Sequence, residues 1–143
     1  VGGDAQAQRN SERLAELASR LEIAHQVRFA GSVADVESYY RNASIFAFTS
    51  SSEGFPNALA EAMAHGLAVV SYDCAAGPSE LIAEGKSGFL VPVFDDDAFM
   101  SKLLELMNDE GLRKRMGISA MHAVNRFRSE DVAGGFANLL WSE

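Results

Sequence analysis

The chain has 143 residues, of which 48% are hydrophobic and 22% are charged, and its formal net charge is -8 at pH 7. These values suit an ordinary globular domain with a single core, and the acidic balance argues against a general nucleic-acid binder, which needs a basic face. Its one cysteine, Cys74, excludes an internal disulfide and a cysteine-cluster zinc site, which agrees with a reducing compartment.

Hydrophobic periodicity divides the chain into helices and short strands. In chain order, the predicted elements are a strand end running into a turn at Val1–Asp4, a helix at Ala5–Leu21, a strand at Gln26–Ala30, a helix at Val33–Arg41, a strand at Ser44–Thr49, a helix at Asn57–Ala64, a strand at Leu67–Tyr72, a helix at Gly77–Ala83, a strand at Gly88–Val91, and helices at Asp95–Asn108, Glu110–Phe127 and Ser129–Trp141. Strands that alternate with helices imply an α/β fold with an open parallel sheet, which binds ligands beyond the carboxyl ends of its strands. Because the chain begins as if inside a strand, we expect it to be cut from a longer protein.

The loop after the strand at Ser44–Thr49 predicts an anion site. Gly54 allows close approach of the backbone, and Pro56 sets φ near the value that a helix entry needs. The first free N–H groups, around Asn57–Leu59, point back toward the strand ends, where the helix dipole adds partial positive charge. The sequence therefore predicts a diphosphate site at the start of this helix.

Two carboxylates, Glu53 and Glu61, flank the predicted phosphate site in an E-x7-E spacing. At about 1.5 Å of rise per residue, Glu61 lies roughly 6–8 Å from the phosphate end, which suits the vicinal diol of a ribose. Glu53, in the loop, is placed to accept from hydroxyls of a sugar beyond the phosphates. The alternative is that both are solvated acids, but the apolar helix around Glu61 makes an unpaired acid there costly.

A second strand end leads into a helix start within the segment Ala75–Ile82, A-A-G-P-S-E-L-I. The backbone at Gly77 is placed to contact the sugar or the phosphates. Glu80 is either an acid that favours the helix dipole or part of a hydrogen-bond network under the sugar, and the sequence leaves both open.

The segment that starts at Ser51, S-S-E-G-F-P-N-A-L-A-E-A-M-A-H-G-L-A-V-V, resembles the signature of retaining GT-B glycosyltransferases of family 4 (glycosyl transferases group 1). Further segments fit this family in order: V-G-G-D, V-R-F-A-G-S-V, Y-Y-R-N-A-S-I-F-A-F-T-S, G-P-S-E-L-I and G-K-S-G-F-L-V-P. The resemblance extends from Val1 to about Phe127. It implies a Rossmann-like parallel sheet flanked by helices, the C-terminal half of a GT-B fold, lacking its first strand-helix unit.

The resemblance also implies roles for individual residues. Glu53 is similar to the catalytic acid that holds the donor sugar, and Glu61 matches the glutamate that binds the ribose. The residues that correspond to the donor-sugar and diphosphate cradle are Gly54, Phe55, Pro56, Asn57, Ala58, Leu59 and Gly77. The residues that correspond to the nucleobase pocket are Gly31, Ser32 and Val33.

By this resemblance, residues 1–143 form the nucleotide-sugar-binding domain of a hexosyltransferase whose N-terminal acceptor domain is absent. The enzyme would transfer a sugar from a nucleoside-diphosphate sugar, a UDP-sugar above all, to an acceptor sugar or glycolipid, with retention and without a metal. It would act in the cytoplasm, at the inner face of the membrane as a peripheral protein, and in the synthesis of a cell-surface polysaccharide.

The chain departs from the family pattern in two places. Pro56 and Asn57 replace the glycine and small residue of the commonest form, which bears on the identity of the sugar. The arginine and lysine that neutralise the leaving diphosphate in the family lie upstream of the first glycine-rich turn, and nothing precedes Val1. We therefore expect this chain to bind donor weakly and not to turn it over. The alternatives are a non-catalytic module for nucleotides or sugar phosphates, and a GT-B-shaped sugar-nucleotide epimerase, which would need further acid/base residues.

An acidic run at Asp95–Asp97 contains the D-x-D pattern that binds a divalent ion in GT-A transferases. Because it precedes an amphipathic helix, we interpret it as a helix cap. His25, His65 and His122 show no metal-ligand spacing, so we predict no metal site.

Overall fold

Short parallel strands alternate with helices between Ile45 and Val91, as the sequence predicts for this part of the chain. The structure is a computed structural model that describes residues 2–52, 55–75 and 77–125. Its elements, in chain order, are α1 (Gly2–Arg20), a 3-10 turn (Ala24–Gln26), α2 (Val36–Asn42), β1 (Ile45–Phe48), α3 (Asn57–Ala64), β2 (Ala68–Tyr72), α4 (Pro78–Leu81), β3 (Phe89–Val91), α5 (Asp96–Asn108) and α6 (Glu110–Asn125). The predicted helix at Ser129–Trp141 lies outside the described residues. The chain divides into two compact units between Val36 and Glu37.

The first unit consists of α1, the 3-10 turn and the segment that follows. Glu22 adopts a left-handed conformation with φ of 59° just after α1. Its N–H donates to Ser19 O at 3.0 Å, and the N–H of Ile23 donates to Ala18 O at 2.9 Å. These two bonds satisfy carbonyl groups of the last turn and end the helix.

Two sequence predictions in the first unit are wrong. The strand end and turn predicted at Val1–Asp4 are replaced by α1, which already begins at Gly2. The strand predicted at Gln26–Ala30 does not form: its first residue closes the 3-10 turn, and residues 27–30 belong to no ladder, with Phe29 44% exposed. A strand is held by hydrogen bonds to a neighbouring strand, and the described chain offers none to these segments.

The second unit is built on a parallel sheet of three strands in the order β1-β2-β3. Ile45 pairs with Ala68 in the first ladder, and Val70 pairs with Phe89 in the second. Because all three strands run the same way, the loops that follow β1 and β2 leave the sheet at the same edge. The α/β prediction with a parallel sheet is confirmed.

The central strand β2 is buried along its whole length. Val69 packs into one apolar cluster, and Ala68, Val70 and Tyr72 pack into another. The first cluster contains Tyr40, Leu59, Ala62, Met63, Leu67, Val69, Leu81, Ile82, Ala120 and Val124. The second contains Ala68, Val70, Tyr72, Phe89, Val91, Phe99, Leu106 and Met116. Helices therefore cover both faces of the sheet, as expected for a parallel sheet with crossover helices.

The strand β1 is less buried than its sequence predicts. Ala47 is exposed, and Ile45, Phe46 and Phe48 are only half-buried. In the described sheet β1 has a neighbouring strand on one side only, so its apolar run is not enclosed like that of β2. A continuous apolar sequence thus marks a strand without fixing whether it is central.

The far end of α3 is fixed by backbone packed directly on backbone. Gly66, with φ of 75°, turns the chain from α3 into β2, and α6 passes over this turn at Gly117. A Cβ atom at Gly117 would lie 2.0 Å from the carbonyl oxygen of Gly66.

No helix in the described part of the chain has the length and hydropathy that a membrane span requires.

Replacing Gly117 with alanine should destabilise the protein, because the new methyl group meets a backbone oxygen that has no room to move. We expect Gly117→Ala to lower the free energy of unfolding by about 1–3 kcal/mol, measured by urea denaturation. The matched control is Gly111→Ala in the same helix, where the nearest atoms are side-chain termini of Arg115 and Asp109 at 3.2 Å. That change should be neutral or stabilising by about 0.5–1 kcal/mol. Equal effects of the two substitutions would contradict the close approach.

Candidate functional site

The loops that follow β1 and β2 touch each other at Pro56 and Gly77. Gly77 has φ of 132°, which disfavours any residue with a Cβ, and a Cβ there would lie 2.4 Å from the Pro56 Cδ atom. Pro56 itself is fully buried. Two of the predicted site residues, which stand on different loops, are therefore in contact at the carboxyl edge of the sheet.

The backbone at the start of α3 presents hydrogen-bond donors toward this edge. Pro56 has φ of -81° and ψ of 72°, and the N–H of Asn57 donates to Phe55 O at 2.9 Å, which forms an inverse γ-turn. The first bond of the helix runs from Ala60 N to Pro56 O at 3.0 Å. Helix geometry then leaves the N–H groups of Ala58 and Leu59 for a ligand. The sequence predicted donors around Asn57–Leu59, and the turn removes the first of them.

Side chains in this segment differ in how much solvent they meet. Leu59 is completely buried in the core, so it offers a ligand only its backbone. Phe55 is 42% exposed, and Asn57 and Ala58 are exposed as well. The segment is thus anchored by Pro56 and Leu59 and presents three side chains to solvent.

Glu61 lies on an exposed face of α3, three residues beyond Ala58. The hydroxyl of Tyr40, on α2, donates to Glu61 Oε2 at 3.2 Å and to the carbonyl oxygen of Ala58 at 3.3 Å. The acid is thus paired, although its exposure means that the apolar composition of the helix does not require a partner. The sequence predicted a ligand as the partner of Glu61, and the structure shows that Tyr40 is a partner within the protein.

The Tyr40 ring is buried, and aromatic neighbours hold it on two sides. Its centroid lies 6.0 Å from that of Phe46 and 5.2 Å from that of His65. His65 is itself tied to α3, since its Nδ1 lies 2.8 Å from Glu61 O. Burial raises the pKa of the Tyr40 hydroxyl above its ordinary value, and the hydrogen bond and charge of Glu61 raise it further. The hydroxyl therefore keeps its proton and acts as a donor at neutral pH.

The described structure does not test the remaining predicted site residues. Glu53 and Gly54 lie outside the described residues. Gly31, Ser32 and Val33 belong to the first unit, where Gly31 has φ of 63° and a Cβ would meet nothing within 4 Å. Their assignment to a nucleobase pocket stays a prediction.

The acidic run at Asp95–Asp97 caps a helix, as predicted. The Asp95 side chain accepts from Ala98 N at 3.0 Å, and Asp96 accepts from the hydroxyl of Tyr72. Within the described residues, no group of three or more His, Cys, Asp or Glu side chains is placed to hold a metal ion.

Tyr40 is the site residue that sequence reasoning missed. Of the large apolar residues in the helix predicted at Val33–Arg41, Val36 and Tyr39 are 41% and 38% exposed, and Tyr40 is buried. A buried tyrosine needs a partner for its hydroxyl, and a carboxylate can accept from it. The tyrosine was the available signal, although nothing in the spacing joins it to Glu61.

The family description "Glycosyl transferases group 1" matches residues 1–122 of the chain. Among curated proteins, the chain is 33% identical over 120 residues to an uncharacterized glycosyltransferase of Haemophilus influenzae, covering 84% of this chain and 33% of that protein. It is 32% identical over 114 residues to the amylovoran biosynthesis glycosyltransferase AmsD of Erwinia amylovora, covering 78% of this chain and 32% of that protein. The chain thus spans about a third of the length of these relatives.

Solved structures share the fold over the whole chain. Anabaena Alr3699/HepE in complex with UDP superposes with a TM-score of 0.85 and 25% identity, covering 100% of this chain and 39% of that one. TarM superposes with a TM-score of 0.81 over 92% of this chain and 26% of that one. Its sequence identity is 23%, so this similarity supports the fold alone. The predicted GT-B half, a parallel sheet flanked by helices, is confirmed by these structures. The chain therefore belongs to the glycosyl transferases group 1 family.

Proposed function

We propose that this chain binds a nucleoside-diphosphate sugar and that the full-length enzyme transfers the sugar to an acceptor hydroxyl. One observation carries the proposal. The start of α3 offers the Ala58 and Leu59 N–H groups at the carboxyl edge of a parallel sheet, and Glu61 follows one turn later. Backbone donors and the helix dipole suit the diphosphate, and a carboxylate at that distance suits the ribose diol.

UDP is the nucleotide that we propose for the donor. HepE, at 25% identity and with UDP in its structure, supports this choice. In this assignment the 2′- and 3′-hydroxyls of the ribose donate to Glu61. The backbone from Phe55 to Leu59, together with Gly77, faces the diphosphate and the sugar in this proposal, and Gly54 is assigned to the same cradle.

We further propose that transfer retains the anomeric configuration, as in family 4 enzymes, with Glu53 holding the hydroxyls of the donor sugar. No metal enters this proposal, because backbone donors and cations from outside this chain would support the leaving diphosphate. The acceptor, a growing polysaccharide or glycolipid, would bind to a separate N-terminal domain. The name of the amylovoran biosynthesis relative and its threefold greater length support this division. Such an enzyme would act in the cytoplasm, against the inner face of the membrane.

Removing the Glu61 carboxylate should weaken UDP binding and remove the preference for ribose. Hydrogen bonds to a charged group contribute about 1.5–3 kcal/mol, so we expect Glu61→Ala to weaken binding by about tenfold or more. The unmodified chain should bind UDP more tightly than 2′-deoxy-UDP, and Glu61→Ala should bind both alike. Calorimetric titration up to millimolar nucleotide measures both quantities.

Glu105→Ala is the matched control for this test, since Glu105 is an exposed helix acid on α5 that pairs with Lys102 at 3.0 Å. It should leave both affinities unchanged. If Glu61→Ala keeps the preference for UDP over 2′-deoxy-UDP, Glu61 is not the ribose ligand. If the unmodified chain binds no nucleotide at all, the donor site itself is wrong.

Replacing Gly77 with alanine should displace the loop at Pro56 and weaken UDP binding by about tenfold. The new methyl group would lie 2.4 Å from the proline ring, and φ of 132° would add backbone strain. Gly85→Ala is the control for an alanine at a positive φ without a steric contact. Gly85 has φ of 71° but nothing within 4 Å of its Cβ position. That control should lose about 1–2 kcal/mol of stability with unchanged UDP affinity, measured by urea denaturation and calorimetry. An equal loss of affinity in both variants would mean that the contact is irrelevant to the site.

The chain alone should not transfer sugar. We expect no release of UDP from UDP-glucose, UDP-galactose or UDP-N-acetylglucosamine above the uncatalysed rate, measured with a coupled UDP assay. Transfer or hydrolysis by the purified 143-residue chain would show that its own residues suffice for catalysis.

A further inference from the structure

We infer that Tyr40 is a positioning residue for the donor: its hydroxyl fixes the Glu61 carboxylate in the orientation that receives the ribose diol. The inference rests on the proposed function, since it takes Glu61 as the ribose ligand. Tyr40 lies on α2 and Glu61 on α3, and the hydroxyl is 3.2 Å from Glu61 Oε2. The contact thus joins two helices of the same compact unit.

The position of the Tyr40 hydroxyl is set by packing. The ring is 9% exposed and lies between Phe46 on β1 and His65 at the end of α3. The same hydroxyl also lies 3.3 Å from the carbonyl oxygen of Ala58, one turn before Glu61 on the same helix. A donor that is held by the core and directed at two acceptors on α3 has little freedom to move with the carboxylate. The Glu61 side chain therefore has to adopt the conformation that reaches the hydroxyl.

Glu61 would otherwise be a free surface side chain with many rotamers. Binding a ligand would then require the loss of that rotamer freedom. Holding one carboxylate oxygen in the free protein means that much of this freedom is lost before the ligand arrives, which favours binding. Tyr40 uses one lone pair of Oε2 and leaves Oε1 to accept from the ribose.

Several ion pairs of the second unit involve acids other than Glu61. Arg41 pairs with Glu37, Lys102 with Glu105 and Lys114 with Glu110. His65 contacts the backbone oxygen of Glu61, and its Nε2 faces Glu37 at 3.6 Å. The raised pKa of Tyr40 agrees with a hydroxyl that stays protonated, and its hydrogen bond is lost only as pH rises through that raised pKa.

The test removes the hydroxyl and keeps the ring. We expect Tyr40→Phe to weaken UDP binding by about fivefold to tenfold and to reduce the preference for UDP over 2′-deoxy-UDP, both measured by calorimetry. Tyr72→Phe is the matched control: Tyr72 is also a buried ring whose hydroxyl donates to a carboxylate, that of Asp96, but it packs in the other cluster. That control should leave both affinities unchanged, and urea denaturation of both variants reports any loss of folding.

A double variant separates positioning from mere structural support. In the Glu61→Ala background, Tyr40→Phe should have no further effect on UDP binding, because the hydroxyl acts through the carboxylate. If Tyr40→Phe weakens UDP binding equally with and without Glu61, or weakens UDP and 2′-deoxy-UDP alike, the inference is overturned and the proposed function stands. If Glu61→Ala alone leaves the ribose preference intact, Glu61 is not the ribose ligand, and both the role of Glu61 and this inference are overturned together.

Discussion

The site depends on one tight contact, in which the ring of Pro56 lies against the backbone of Gly77. Each residue stands just beyond a different strand of the parallel sheet, so the contact joins the two loops that leave its carboxyl edge. Pro56 then fixes where α3 begins, and the start of α3 decides which N–H groups face outward. The position of the proposed diphosphate site therefore follows from the absence of a single side chain at Gly77.

In the proposed function, an acidic chain holds an anion through backbone groups. The net charge of -8 opposes the approach of an anionic ligand at long range. Locally, however, two backbone N–H groups and the dipole of α3 provide positive partial charges whose position does not depend on flexible side chains. This arrangement favours recognition of the phosphates by shape, and it leaves neutralisation of the leaving group to residues elsewhere in the full-length enzyme.

Much of the second unit could be predicted from the sequence, because its signals are local. The helix at Asn57–Ala64 was predicted to the residue, since a proline enters it and a glycine follows its end. The strand at Gln26–Ala30 was predicted wrongly, because alternation marks a strand only where a neighbour completes the ladder. The bond between Tyr40 and Glu61 joins residues 21 positions apart on two helices, so no periodicity reveals it. Short motifs indicated which residues to consider for the site. Its geometry depends on contacts that motifs do not encode.

Residues 55–59 differ in whether they are buried or exposed, and this difference bears on how donor specificity can evolve. Pro56 and Leu59 serve the core, so changes there carry a cost in stability before they alter any ligand contact. Phe55, Asn57 and Ala58 are exposed residues beside the same backbone donors. Selection, or an engineer who wants a different donor sugar, can therefore vary these three positions while the phosphate-facing backbone stays in place.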